Sequence, residues 1–156
     1  MTYILMGVAG SGKTTIGKLL SKQLDYPFYD GDDFHPRANI LKMSRNLALD
    51  DRDRLPWLLR LKELIDNNPK IIVACSALKK SYRTILQGEN KQVIWIYLKG
   101  EYSEISRRIE NRQGHFMKRE MLRSQFNTLE EPSNAITISI SQDTTAIVKQ
   151  ILEQIE

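Results

Sequence analysis

One stretch near the start of the chain, Gly7-Val8-Ala9-Gly10-Ser11-Gly12-Lys13-Thr14, narrows the available folds more than anything that follows it. It fits G-x-x-x-x-G-K-[ST] at every fixed position. The apolar run Tyr3-Ile4-Leu5-Met6 precedes it, and Ile16, Leu19, Leu20 and Leu24 follow at helical spacing. Strand, glycine turn and helix in that order make a phosphate-binding loop. The glycines let backbone N–H groups converge on an anion, and the helix N-terminus adds its partial positive charge. Gly7, Gly10, Ser11, Gly12, Lys13, Thr14 and Thr15 are therefore the expected nucleotide-binding residues. Lys13 is expected to be catalytic, reaching the β- and γ-phosphates of ATP, and the Thr14 hydroxyl to ligate Mg2+.

Beyond the loop, short apolar runs alternate with amphipathic segments, the pattern of an α/β fold with a parallel sheet. Strands are expected at 3–6, 28–29, 71–74, 93–98 and 136–140. Helices are expected from 13 onward, across 55–65, and over 103–111, 118–129 and 144–155. The 156 residues hold no repeat, low-complexity tract or linker, so residues 1–156 read as one domain. No stretch approaches ~20 apolar residues, so no membrane partner is expected. The N-terminus has no basic n-region and no cleavage site. A single cysteine, Cys75, excludes a disulfide framework and points to the cytoplasm. An excess of 23 Lys and Arg over 19 Asp and Glu, net +4, suits an anionic substrate and equally a nucleic acid. The chain has no room for a second recognition domain, so no nucleic-acid partner is expected.

After the second strand comes Tyr29-Asp30-Gly31-Asp32-Asp33-Phe34-His35-Pro36. Three carboxylates this close repel one another in a core, but are tolerated beside Mg2+ or facing a polar cleft. The third strand, 71–74, carries no acidic residue to support a metal. The second-strand acids are then expected to do so, with Asp30 orienting Mg2+ through water. Asp32 is expected to accept the proton of the phosphoryl acceptor. His35 is either a ligand contact or a loop residue.

At this point the chain resembles the gluconate kinase (gluconokinase) family of P-loop sugar kinases. The resemblance covers nearly the whole chain. Its most specific pieces are Asp30-Gly31-Asp32 with His35-Pro36, Asn39 and Lys42-Met43, then Asp53-Arg54 with Pro56-Trp57-Leu58. Further along come Cys75-Ser76-Ala77-Leu78-Lys79-Lys80 with Tyr82-Arg83, and Gly114-His115-Phe116-Met117 leading to Ser124-Gln125-Phe126, Leu129-Glu130 and Pro132. The resemblance implies ATP:gluconate 6-phosphotransferase activity with Mg2+. It also implies a three-layer fold of the nucleoside-monophosphate-kinase-like group related to shikimate kinase, with a five-stranded parallel sheet of order 2-3-1-4-5 and a mobile lid. Where the family has a glycine and then a proline, this chain has Asn46 and Ala48. Asn is the non-glycine residue best able to hold a positive φ.

Several basic residues then gain candidate roles. Arg54 is either a surface arginine capped by Asp50, Asp51 and Asp53 or a planar guanidinium holding a substrate carboxylate. The Ser76 hydroxyl and the neighbouring backbone suit a polyol. Lys79 and Arg83 open the next helix on the same edge, Arg83 as the other half of a carboxylate clamp. Arg107, Arg108 and Arg112, followed by Gln113-Gly114, form either a solvated face or a lid spanning about 112–124. In the lid reading Arg108 lies over the adenine and Arg112 meets the phosphates. Cys75 reads as a small buried residue and not as a nucleophile. A kinase for shikimate or a nucleoside monophosphate, and a nucleotide-dependent binding switch, remain alternatives. Oligomeric state is open, a homodimer included.

Overall fold

β1 (Thr2–Met6) is buried along its whole length, and its side chains alternate between two cores. Tyr3 and Leu5 pack with Ile16, Leu20, Ile105 and Ile151, whereas Ile4 and Met6 pack with Trp57, Leu61, Tyr82 and Leu86. A strand with apolar residues on both faces must lie between two helical layers. The computed structural model describes residues 1–111 and 119–155 and shows that arrangement.

From β1 the chain runs through α1 (Lys13–Leu24), β2 (Phe28–Asp30), a 3-10 turn (Gly31–Phe34), α2 (Arg37–Ser44) and α3 (Asp51–Asn67). It continues through β3 (Ile72–Ala74), α4 (Lys80–Gln87), β4 (Val93–Lys99), α5 (Tyr102–Glu110), α6 (Arg119–Thr128), β5 (Ile136–Ser139) and α7 (Thr144–Ile155). The five strands are parallel in the order β2-β3-β1-β4-β5, as expected. α1, α5, α6 and α7 cover one face of the sheet, and α3 and α4 cover the other. No helix among the described residues is long and apolar enough to cross a membrane.

Register decides where the chemistry falls. Leu5 of β1 pairs with Ala74 of β3, and Ala74 pairs with Asp30 of β2. The segments that follow these three strands therefore leave the sheet side by side at its carboxyl edge, where open α/β sheets bind ligands.

Two elements differ from the sequence expectation. The long helix begins at Asp51, ahead of its first apolar residue. A capping box starts it: Asp50 accepts from the Asp53 N–H at 2.7 Å, and Asp53 accepts from the Asp50 N–H at 3.0 Å. α2 has no apolar stripe to announce it, since Ile40, Leu41 and Met43 are exposed and Asn39 is its buried residue. A 2.6 Å ion pair from Lys42 to Asp53 ties α2 to α3. Between them Asn46 holds φ at 59°, the left-handed conformation a glycine would otherwise supply. The lid expectation falls largely on 112–118, outside the described residues. The remainder of that span belongs to α6.

Candidate active site

The donor side is built from backbone. Gly7 has φ 150°, and a Cβ there would sit 2.9 Å from the Leu98 carbonyl oxygen. Gly12 precedes α1 with no side-chain cap on the helix, and the first turn of α1 carries no acid. Its N–H groups are thus left for an anion. Ser11 Oγ is buried and has no partner among the described residues, a hydroxyl facing the interior of the same loop. Lys13 Nζ donates to the Gly7 and Val8 carbonyls, both at 2.9 Å, so the lysine folds back over its own loop. Burial lowers the Lys13 pKa, opposed by Asp32, then Cys75, then Asp30. Thr15 stands exposed beside Thr14 on the first turn of α1.

Thr14 Oγ1 donates to Asp30 Oδ2 at 3.2 Å, and Asp30 Oδ1 accepts from the Asp32 N–H at 3.0 Å. The carboxylate and the hydroxyl singled out for the metal thus lie within hydrogen-bonding distance of one another. Among the described residues no group of three or more His, Cys, Asp or Glu is arranged to hold a metal by itself. A hydroxyl beside one carboxylate fits Mg2+, which takes few protein ligands and completes its shell with water and phosphate.

The acceptor side is built from side chains. Gly31 lies so close to β3 that a Cβ would fall 2.6 Å from the Ala74 carbonyl oxygen, so only glycine lets the acidic turn rest there. Asp32 opens from this turn with 86% of its side chain exposed. The surrounding cleft, then Asp30, raise its pKa, and Lys13 draws it down. Next to it His35 is 8% exposed and stacks on Trp57, ring centroids 4.3 Å apart and 12° from parallel. Trp57 Nε1 donates to the Gly31 carbonyl at 2.7 Å, fastening the stack to the acidic turn. Burial, then Arg54, push the His35 pKa down to about 4.

Arg54 is not held by Asp50 or Asp53, which close the capping box. It donates to the Tyr82 hydroxyl at 2.8 Å and lies 5.3 Å over the Tyr82 ring. Lys79 approaches the same ring at 5.5 Å and pairs with Asp51 at 3.0 Å. Tyr82 donates to Asp51, whose carboxyl lies below its ordinary pKa because of that bond and the one from Lys79. One aromatic ring thus gathers two cations, of which Arg54 is close enough to His35 to act on its ring.

Arg83 differs from the expected clamp. Nη1 donates to the Ala77 and Leu78 carbonyls at 2.7 and 3.2 Å, and Nη2 to the Glu130 carbonyl at 2.7 Å. Three of the five N–H donors of its guanidinium thus brace the loop after β3. That loop needs bracing, because Ala77 sits at φ 44°. Half-buried Ser76 begins it, and its carbonyl accepts from the Gly7 N–H at 3.3 Å. Arg108 is pinned at the end of β5, donating to the Ile140 carbonyl at 2.7 Å and to Glu104 at 3.2 Å. Arg112 lies outside the described residues. Cys75 is buried and its thiol is pushed up to about 12, a protonated core residue as expected.

Three residues gain positions that the sequence reading did not assign: Asn39, Tyr82 and Gln125. Each lies inside a stretch that carries the family resemblance. Gln125 Oε1 accepts from the Ala9 N–H in the phosphate loop at 2.7 Å, across 116 residues of sequence. Five residues on, Glu130 Oε1 accepts from the Lys80 N–H at 2.8 Å, and the Glu130 N–H donates to the Leu78 carbonyl at 2.8 Å.

A phosphate loop and a wall of acid, imidazole and cations thus face one another at one sheet edge, and a chain so built is a P-loop kinase of the small-molecule type. Residues 9–156 match the shikimate kinase family model. The thermosensitive gluconokinase of Escherichia coli K12 is 43% identical over 96% of this chain and 84% of its own length. The solved structure of a gluconokinase from Sinorhizobium meliloti 1021 is 36% identical, with a TM-score of 0.88 over 97% of this chain and 89% of that one. A solved shikimate kinase from Aquifex aeolicus shares the fold at 18% identity, with a TM-score of 0.64 over 99% of this chain and 96% of that one. The chain belongs to the gluconokinase family.

Proposed function

We propose that the protein transfers the γ-phosphoryl group of ATP to the primary hydroxyl of D-gluconate, giving 6-phosphogluconate and ADP. The observation that carries this reading is the acceptor wall. Asp32 lies beside the loop that takes the phosphates, and Arg54 and Lys79 converge on Tyr82 nearby. A substrate with many hydroxyls and one carboxylate matches that distribution. The cations hold the carboxylate, His35 and Ser76 hold hydroxyls, and the far hydroxyl is thereby aimed at the phosphoryl group.

In the proposed reaction Lys13, the loop N–H groups and Arg112 neutralise the phosphates, with Arg108 at the base. Thr14 would ligate Mg2+ and Asp30 would orient it through water, and the ion would neutralise charge on the phosphates. Asp32 orients the acceptor hydroxyl and takes its proton as the new O–P bond forms and the bond to the β-phosphate oxygen breaks. The proposed setting is the cytoplasm, with residues 1–156 as one domain and residues 112–124 as its lid.

The test is ADP formation at fixed ATP and Mg2+ across gluconate, glucose, shikimate and a nucleoside monophosphate. Gluconate should give the largest kcat/KM. A preference for shikimate would return the substrate assignment to the family whose model the chain also matches. Slow ATP loss indifferent to every acceptor would instead mark a nucleotide switch.

A further inference from the structure

Asn39 is 3% exposed, and its amide nitrogen faces two groups at once. It donates to the Asp53 carbonyl at 2.9 Å and lies 3.2 Å from His35 Nδ1. A carbonyl only accepts, so the Asn39 atom facing Asp53 is the nitrogen and not the oxygen. The second hydrogen of that nitrogen then points to Nδ1, which must offer a lone pair. The single proton of a neutral imidazole is left on Nε2. Nε2 lies 3.9 Å from Asp32 Oδ1, too far for a direct hydrogen bond but wide enough for one oxygen atom within reach of both.

We propose that Asn39 is a positioning residue that fixes His35 as the Nε2–H tautomer, so that His35 offers a neutral donor to a substrate hydroxyl lying between it and Asp32. The role rests on the polyol kinase reading given above. A hydroxyl accepts and donates at once. It accepts from Nε2–H and donates to Asp32, so its proton points at the group that removes it. The other tautomer would present a lone pair at Nε2 and compete with Asp32 for the same proton. An imidazolium would pair with Asp32 and blunt its basicity. Burial against Trp57 and the neighbouring charge of Arg54 oppose that second proton, whereas Asp32 favours it.

The chain has two histidines, so 15N-histidine labelling gives two imidazoles, with His35 assigned by its loss in His35→Gln. The wild type should show Nε2 protonated and Nδ1 bare at neutral pH. The Nε2 resonance should move when gluconate is added with a non-hydrolysable ATP analogue. Asn39→Asp, whose carboxylate draws a proton onto Nδ1, should convert the ring to the imidazolium or the other tautomer. The same variant should lower kcat/KM for gluconate about tenfold, the worth of one hydrogen bond, and leave the KM for ATP within about twofold. A wild-type ring protonated on Nδ1 overturns the proposal without any variant. So does an Nε2 resonance unmoved by saturating gluconate in enzyme that phosphorylates it. Failure of the wild type to phosphorylate gluconate would overturn the substrate assignment instead, and is scored separately in the same samples.

Discussion

The two halves of the active site are made of different material. The donor half is one continuous loop that offers backbone N–H groups, three positive-φ glycines and a helix end to the nucleotide proposed to bind there. The acceptor half is assembled from side chains on the turn after β2, on α2, on α3 and at the start of α4. Those side chains are held by buried partners: Trp57 under His35, Asn39 beside it, and Tyr82 between Arg54 and Lys79. Backbone recognition suits a ligand common to many enzymes. Side-chain recognition allows the acceptor to change while the fold and the loop stay the same.

The sharpest test of that division pairs one residue from each half. Lys13→Ala and Asp32→Asn should each lower turnover by ~10²–10⁴, the range for a phosphate-neutralising or acid–base group. Their substrate dependence should differ. Lys13→Ala should also raise the ATP requirement, whereas Asp32→Asn should leave ATP binding unchanged, as isothermal titration with an ATP analogue would register. If both variants lost ATP affinity equally, the halves would not be separable.

Two arginines only 29 positions apart should behave as opposites. Arg54→Ala should reduce kcat/KM for gluconate by ~10²-fold, narrow the gap to glucose and leave the melting temperature nearly unchanged. Arg83→Ala strips donors from three backbone carbonyls. It should destabilise the protein by roughly 2–4 kcal/mol in urea unfolding, and lower activity only in proportion to the folded fraction. Equal losses of substrate discrimination in both variants would restore Arg83 to the clamp.

A smaller effect should appear in acid. His35 is lowered from 6.5 to about 4 in the folded protein, so the unfolded chain binds its proton first as pH falls. Its contribution to stability is full above pH 6.5 and declines between 6.5 and about 4. The size of the shift puts that loss at roughly 3 kcal/mol. Asp32, whose pKa is raised, acts with the opposite sign in both proteins. The difference between wild type and His35→Gln in urea unfolding across that window isolates the histidine. Parallel pH profiles would show that the ring titrates freely.

The same division explains what could be read before the fold was seen. The donor site is contiguous, so the loop motif and its flanking strand and helix announced it. The sheet order followed from the family pattern, and the strands adopt it. Asp30 stands out because the third strand has no acid, and in the fold it accepts a hydrogen bond from Thr14. The acceptor site was legible as a set of residues and not as an arrangement. Nothing in the spacing of Arg54 and Arg83 says that one guanidinium faces a tyrosine and the other three carbonyls. That choice is made by Ala77, whose left-handed backbone turns carbonyls toward α4. α2 escaped periodicity because its apolar residues are exposed, and Asn39 was visible only as one letter of a family motif.

The hydrogen bonds of residues 125–130 have a mechanical consequence. Gln125 grips the phosphate loop at Ala9, and Glu130 grips the start of α4 at Lys80. Only five residues separate the two grips, so a short stretch spans the distance from the phosphate loop to the start of α4. In-line transfer tolerates little error in that gap, since a displacement of about 1 Å can cost ~10²-fold in rate. The second half of α6 and the residues just after it, outside both walls of the site, thus tie the two walls together.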